Sequence, residues 1–514
     1  MNTMLRRHSF SMLLLLLLFV GNSLWLYLVR DIPITDDDIW GATAVLGNPI
    51  EVVIFTLRWD LHPPLYYLLL DGWAYFGKSD LWLSMSSCLL HALIATLVFN
   101  YVYRRHGVLA ALLSTVLVFS SPLLLEQSVK IRMYPLLALL SVAIFYLIEK
   151  YQEQNKRSQL LSIGILGFAL IYSHAIGLIL LFFHFCFGCW HLKSSQRRAW
   201  LVLHALLAVV ALPVIANSLI RKLGHALTPA ANQLWQLFQD LMVSTTGSLI
   251  AASNVAPATP GIGDTLTIAI ILLLALQVLL LVLAARDSHS RAMLICYLLL
   301  PILVFTTLSY SIKPLWLERN FIFALPIISI ILGISLAKMP SPIWLKWLFV
   351  SAIAGINLSQ SAIQMKRHPT EHSFAEVLEV LQAKRQANQK ICVIAPNHVS
   401  TFWSLQRYLA KTEWGNPTEI QPALGERWRQ IREQLPLSVV DGLKMHAKTH
   451  FLESSDLIIA AVEAQRCQQA DISGRFLVIE TRAEQVAPTT YPLIFANDHY
   501  QIYGQEKISE SVND

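Results

Sequence analysis

The sequence predicts an α-helical polytopic membrane protein with a small α/β domain at its C-terminal end, and three observations predict it. Of 514 residues, 55% are hydrophobic and only 14% charged, against about 25% charged in a soluble globular domain. The mean hydropathy is +0.52, and the apolar residues gather into runs such as Ser11 to Tyr27 and Thr265 to Ala285, long enough to cross about 30 Å of hydrocarbon. After Met365 the runs shorten and charged residues return. The chain therefore divides into a membrane domain, 1–365, and an α/β domain, 366–514, with Lys366, Arg367 and Pro369 at the junction. An ordinary soluble enzyme is excluded.

The first apolar run follows Arg6 and Arg7 as a signal peptide would, but it is longer than a usual h-region and no A-x-A pattern precedes Arg30, so it reads as a retained anchor. Further apolar stretches near 81–103, 108–125, 133–148, 159–172, 175–191, 200–219, 265–285, 292–309, 320–337 and 343–362 bring the total to about eleven spans. Lys and Arg crowd the short connections on the side of Arg6 and Arg7 (Arg104, Arg105, Lys150, Lys156, Arg286 and others), which marks that side as cytoplasmic. An odd number of spans then puts the C-terminal domain outside a multi-pass protein of the cell (inner) membrane.

Two outside loops, Arg30 to Asp80 and Leu219 to Asp264, are long enough to be functional or to carry helices of their own. The first has amphipathic stretches at Ile50–Trp59 and Pro64–Phe76, with Trp59, Tyr66, Tyr67, Trp73 and Tyr75 expected at headgroup depth. Beyond the junction the pattern gives a helix over Phe374–Ala387, a strand at Ile391–Ala395, a helix near Phe402–Ala410 and apolar runs at Leu457–Ala461 and Phe476–Glu480. With no G-x-G-x-x-G or P-loop pattern, a nucleotide site there is unsupported. The formal charge of +6 comes from scattered residues and predicts no nucleic-acid partner. Six cysteines are too few for a disulfide framework.

Four segments could carry chemistry, all on the outer face. Asp36-Asp37-Asp38 brings three carboxylates together; their mutual repulsion favours a general base, although a solvated loop or helix cap uses aspartate equally well. In Asp60-Leu61-His62-Pro63-Pro64-Leu65-Tyr66, the prolines start a helix and fix Asp60 and His62 at one point above the membrane. Glu126 to Tyr134 places Lys130 and Arg132 at the boundary, where a guanidinium suits a lipid phosphate and also suits simple snorkelling. Arg319, in Trp316 to Phe321, precedes a late span on the same side. His174 ends a span there, facing a cavity or capping a helix. Cys186-Phe187-Gly188-Cys189, flanked by His184 and His191, imitates a metal motif but lies in an apolar helix with no second ligand pair nearby in sequence, so no metal-ligand set is read from the chain.

Together these segments resemble glycosyltransferase family 39, which includes the protein O-mannosyltransferases and the lipid A aminoarabinose transferases. Asp60 to Leu70 matches the family's D-x-H-P-P-L-Y-Y-L-L-L segment closely; Ser128, Arg132, Met133, Tyr134, Leu136 and Leu137 match S-Q-E-A-R-M-Y-A-L-L; Arg319 and Pro326 match part of R-Y-L-x-P-x-x-P. The family's Asp-Glu pair is replaced by aspartates, with registers Asp36-Asp37 and Asp37-Asp38 both open and Asp36 favoured because Ala44 then falls in step. Lys130 stands where the family has Glu, and Asn320 where it has Tyr.

The resemblance implies a GT-C fold and an inverting glycosyltransferase that moves a hexosyl or pentosyl group from a polyprenyl-phosphate donor to an acceptor hydroxyl on a lipid, glycan or protein. It assigns the base to Asp36 or Asp37, the donor phosphate to Arg132, Lys130 and Arg319, and substrate positioning to Asp60, His62, Tyr66, Tyr134 and His174. Membrane lipids are the surroundings, no cofactor is implied, and a divalent metal is left open. A glycolipid transporter or flippase is the rival class and would place helix-breaking or charged residues near the bilayer midplane. A non-catalytic relative or assembly scaffold would tolerate loss of the aspartates.

Overall fold

The computed structural model describes residues 2–29, 38, 41–42, 44–45, 48–58, 62–222, 275–311, 318–371, 374–383, 390–394, 451–453, 457–460, 472–480, 493–496 and 500–506. The chain forms two compact units, one of Met1–Val29 with Asp60–Met365 and one of Arg30–Trp59 with Lys366–Asp514.

The first unit is helical. α1 is Asn2–Leu28; α2, Pro49–Arg58, belongs to the second unit. There follow α3 (Leu65–Ala74), α4 (Asp80–Phe119), α5 (Pro122–Ser128), α6 (Tyr134–Gln154), α7 (Arg157–Ser173), α8 (Gly177–His191), α9 (Ser194–Lys222), α10 (Ala275–Ala284), α11 (Ser288–Leu294), α12 (Leu300–Ser311), α13 (Ala324–Lys338) and α14 (Ile343–Glu371). Among the described residues, five helical segments are long and apolar enough to span a bilayer: Ser9–Leu28, Asp80–Phe119, Tyr134–Gln154, Ser194–Ala216 and Ser288–Leu308. Five shorter apolar helices accompany them. The protein is polytopic, as the hydropathy predicts. Residues 265–274 of one predicted span lie outside the described residues.

Helix α4 covers two of the predicted spans because Gly107, at φ 85° and ψ 176°, turns the chain between them at a left-handed angle that suits glycine. Its second half stops at Phe119, short of the predicted limit at 125, because Ser121-Pro122 opens the new helix α5. Packing against lipid and against protein is easily told apart. On α1, Leu13, Leu16, Leu17, Val20 and Leu24 are each more than half exposed, apolar surface that only hydrocarbon covers without cost. Between α4 and α13 a Cβ on Gly333 would lie 2.1 Å from Ser114 Oγ and 2.6 Å from its backbone nitrogen, so glycine is what lets the two backbones touch. A π-helical turn, Ile295–Leu299, joins α11 to α12. Its Tyr297 hydroxyl is 2.7 Å from His184 Nδ1, and His184 Nε2 is 2.9 Å from Ser141 Oγ, which satisfies three polar side chains inside the helical core.

The second unit holds α2, α15 (Phe374–Ala383) and a six-stranded mixed sheet of order β2-β3-β1-β4-β6-β5. The strands are β1 (Lys390–Ile394), β2 (Phe451–Glu453), β3 (Leu457–Ala460), β4 (Ile472–Glu480), β5 (Leu493–Ala496) and β6 (Tyr500–Glu506). β1 is parallel to β3 and β4, and the other pairs are antiparallel. The continuous apolar run of β1 fits a strand flanked on both sides. The sequence pattern does not predict β2, β5 or β6; β6, Tyr-Gln-Ile-Tyr-Gly-Gln-Glu, carries three polar side chains among its seven residues. The helix predicted near 402–410 lies outside the described residues.

Candidate active site

The first unit brings several of the singled-out residues together around the N-terminal end of α6. Pro135 sits in the first turn of that helix, where its missing N–H costs nothing. The chain entering it is pinned to α4: Ser87 Oγ donates to the Lys130 carbonyl at 2.6 Å, and Cys88 Sγ approaches the Ser128 carbonyl at 3.2 Å. This fixes Arg132, which is buried at 4% exposure, two residues ahead of the helix. The positive end of the α6 dipole therefore adds to the guanidinium.

His62 arrives from the other side. Pro63-Pro64 ends at Leu65, the first residue of α3, and Leu68 N–H donates to the Pro64 carbonyl at 2.9 Å. The helix is clamped to α4 by a tryptophan pair. Trp73 and Trp82 stack at 4.9 Å, and each indole N–H donates to the other's carbonyl, at 2.8 and 3.2 Å. His62 Nε2 lies 3.5 Å from Arg132 Nη2. The His62 ring stands 4.3 Å from that of His174, which also faces Tyr134 at 5.6 Å. His174 does cap a helix, α7, and its Nδ1 accepts from Ile176 N–H at 2.9 Å, so capping and facing the cluster are compatible.

Tyr134 is the hub. The Arg132 guanidinium carbon lies 5.9 Å from its ring centre and that of Arg319 lies 5.4 Å from it. Arg319 comes from a single 3₁₀ turn, Glu318–Phe321, ahead of α13, so residues almost two hundred positions apart meet on one ring. Cation–π contacts of this kind are worth about 0.5–2 kcal/mol and leave the cations charged.

Lys130 differs. Its ammonium is ion-paired with Glu126 one turn earlier on the chain, so the lysine at the family's glutamate position brings its own carboxylate. Tyr66 and Tyr67 are 2% and 0% exposed: α3 is packed between α4 and α7, and exposed apolar side chains stand at Leu69 and, just past the helix, at Tyr75 and Phe76. Asp36, Asp37, Asp60 and Trp59 lie outside the described residues. Asp38 is buried, within the second unit. The reading from sequence missed Ser87, Cys88 and the Trp73–Trp82 clamp, whose role only the tertiary contacts disclose.

Among solved structures, the chain superposes on ArnT from Cupriavidus metallidurans in the apo state, with a TM-score of 0.56 at 12% identity, covering 95% of this chain and 97% of that one. ArnT from the same organism bound to undecaprenyl phosphate gives a TM-score of 0.54, also at 12% identity and with the same coverage. The chain has a GT-C fold. No family model matches it, and no curated protein sequence gives a significant match. Within this GT-C fold, Arg132, Arg319, Tyr134, His62 and His174 bring two guanidiniums, two imidazoles and aromatic surface together at one end of a helix bundle, groups whose chemistry suits a phosphate.

Proposed function

We propose that the protein is a membrane glycosyltransferase that takes a sugar from a polyprenyl-phosphate donor and delivers it to an acceptor hydroxyl on the extracytoplasmic face. The observation that carries the reading is the convergence of Arg132 and Arg319 on Tyr134. The ArnT fold supports it, since one ArnT structure contains undecaprenyl phosphate. A donor with a lipid tail must be met where helices end at a bilayer surface, which is where a cationic cluster with aromatic walls is useful.

In the proposed reaction the acceptor oxygen attacks the anomeric carbon and inverts it. Asp36 or Asp37 takes the hydroxyl proton. The bond from the anomeric carbon to the phosphate oxygen breaks, and its electron pair leaves with the polyprenyl phosphate. The charge so formed is met by Arg132 and Arg319, with the α6 dipole behind Arg132. His62 and His174 hold the Arg132 side of the cluster in place. Lys130, paired with Glu126, contributes a weaker field than a lone ammonium. The charge bias of the connecting segments favours an outward-facing site in a cell-membrane protein with a cytoplasmic N-terminus.

The test is sugar transfer in membranes supplied with polyprenyl-phosphate sugar. Asp36→Asn or Asp37→Asn is expected to abolish transfer with expression unchanged, and full activity in both variants refutes the assignment of the base. Mass spectrometry of glycans and glycolipids from deleted and complemented cells identifies the sugar and the acceptor.

A further inference from the structure

At the other end of α6, three side chains from three helices converge. Glu149 lies fifteen residues after Tyr134, about 22 Å along the helix. His191 is the last residue of α8, and His289 is in the first turn of α11. Glu149 Oε1 is 3.2 Å from His191 Nε2 and 3.7 Å from His289 Nε2, and the three ligand atoms all lie within 4.8 Å of one another. Glu149 is buried and the two histidines are half-buried, and the facing atoms Glu149 Oε1, His191 Nε2 and His289 Nε2 make no well-directed hydrogen bond. Two imidazole nitrogens and a carboxylate oxygen facing one another are three atoms that each offer a lone pair to a cation when the imidazoles are neutral. Tetrahedral Zn²⁺, with bonds near 2.0–2.2 Å, spaces its ligands about 3.3 Å apart, close to the 3.2 and 3.7 Å from Glu149 Oε1 to the two imidazole nitrogens.

The surroundings orient each ligand. Arg105 binds Glu149 through Oε2, leaving Oε1 to point at the histidines, and it also binds Glu153, so two carboxylates offset its charge. Phe187 stacks on His191 at 5.2 Å and 18°. Asp287 caps α11 by accepting from Ser290 N–H at 2.9 Å, which fixes the turn that carries His289. The His191 and His289 side chains are 18% and 28% exposed, which gives an ion a way in.

We propose that Glu149, His191 and His289 bind one divalent transition-metal ion of the Zn²⁺ class through Oε1 and the two Nε2 atoms, clipping α6, α8 and α11 together. Two imidazoles and one carboxylate suit such an ion and not Mg²⁺ or Ca²⁺, which take oxygen ligands. The site stands apart from the transferase reading, since it lies several helical turns from Arg132.

The test uses the full chain in detergent, purified without a polyhistidine tag, stripped with chelator and titrated with Zn²⁺. One equivalent per chain is expected, with a raised melting temperature, and binding at least tenfold weaker in Glu149→Gln and His289→Ala; Mg²⁺ should not compete. Co²⁺ in place of Zn²⁺ should give the visible absorption of a tetrahedral site, lost in His289→Ala. That variant alters a partly exposed residue and carries the test if Glu149→Gln fails to fold. No bound equivalent in the parent protein, equal binding by His289→Ala, or equal competition by Mg²⁺ overturns the proposal.

Discussion

The two ends of α6 draw on the same residue types and arrange them in opposite ways. At the N-terminal end two guanidiniums, from Arg132 and Arg319, lie against one tyrosine ring, with two histidines stacked alongside. At the C-terminal end one guanidinium, from Arg105, is fixed by two carboxylates, and two histidines converge on the first of them. An aromatic ring fixes a cation without cancelling its charge, whereas a carboxylate does both. The second end holds the helices to one another, and the first is the end at which the proposed reaction would meet the donor phosphate.

The contrast is broken most severely at Arg132. If this buried guanidinium meets the departing phosphate, Arg132→Ala should lower transfer by about 10²–10³-fold, as loss of a preorganised donor does. Arg132→Lys should recover part of that, since a lysine keeps the charge and loses the fork. Equal and small effects, measured as initial rates in membranes, would reduce Arg132 to an interfacial anchor. Arg319, half-buried on a 3₁₀ turn, should matter less. Arg319→Ala is expected to cost about tenfold. The double variant should fall short of the product of the single effects if both guanidiniums serve one phosphate; a fully multiplicative result would place them on different groups.

Tyr134 sharpens the same point at smaller scale. Tyr134→Phe keeps the ring and should change transfer by no more than about twofold, while Tyr134→Ala removes the surface that both guanidiniums face and should cost about three- to thirtyfold, the range of one or two cation–π contacts. If Phe is as damaging as Ala, the hydroxyl and not the ring is what the site uses.

How far the sequence disclosed this depended on whether the signal was local. The membrane helices were legible because burial in hydrocarbon demands long apolar runs, and the break between the runs 81–103 and 108–125 matches the turn inside α4. Arg132 and His62 were legible from short motifs whose prolines and position fix them near a helix start. Convergence was not: nothing in the sequence near Arg319 says that it meets Tyr134, and His191 drew notice only as the neighbour of two cysteines that play no part in its cluster. Glu149, His191 and His289 are separated by 42 and 98 positions, so no spacing rule could join them. In the second unit, β1 is legible from its apolar run, while β6, in which Gln501, Gln505 and Glu506 interrupt the apolar residues, leaves no such trace.

The smallest expected effect lies at the C-terminal end, at Glu153. Its ion pair with Arg105 is part-exposed on both sides, 44% for Glu153 and 26% for Arg105, and pairs of that kind contribute about 0.2–1 kcal/mol. Glu153→Gln should therefore lower the melting temperature slightly, more at low ionic strength than at high, because screening already weakens an exposed pair. Transfer rates should not change, since the residue lies near the end of α6 opposite to Arg132. A loss of transfer comparable to that of Arg319→Ala would mean that the two ends of the helix are coupled, and the division between an anion-receiving end and a helix-holding end would fail.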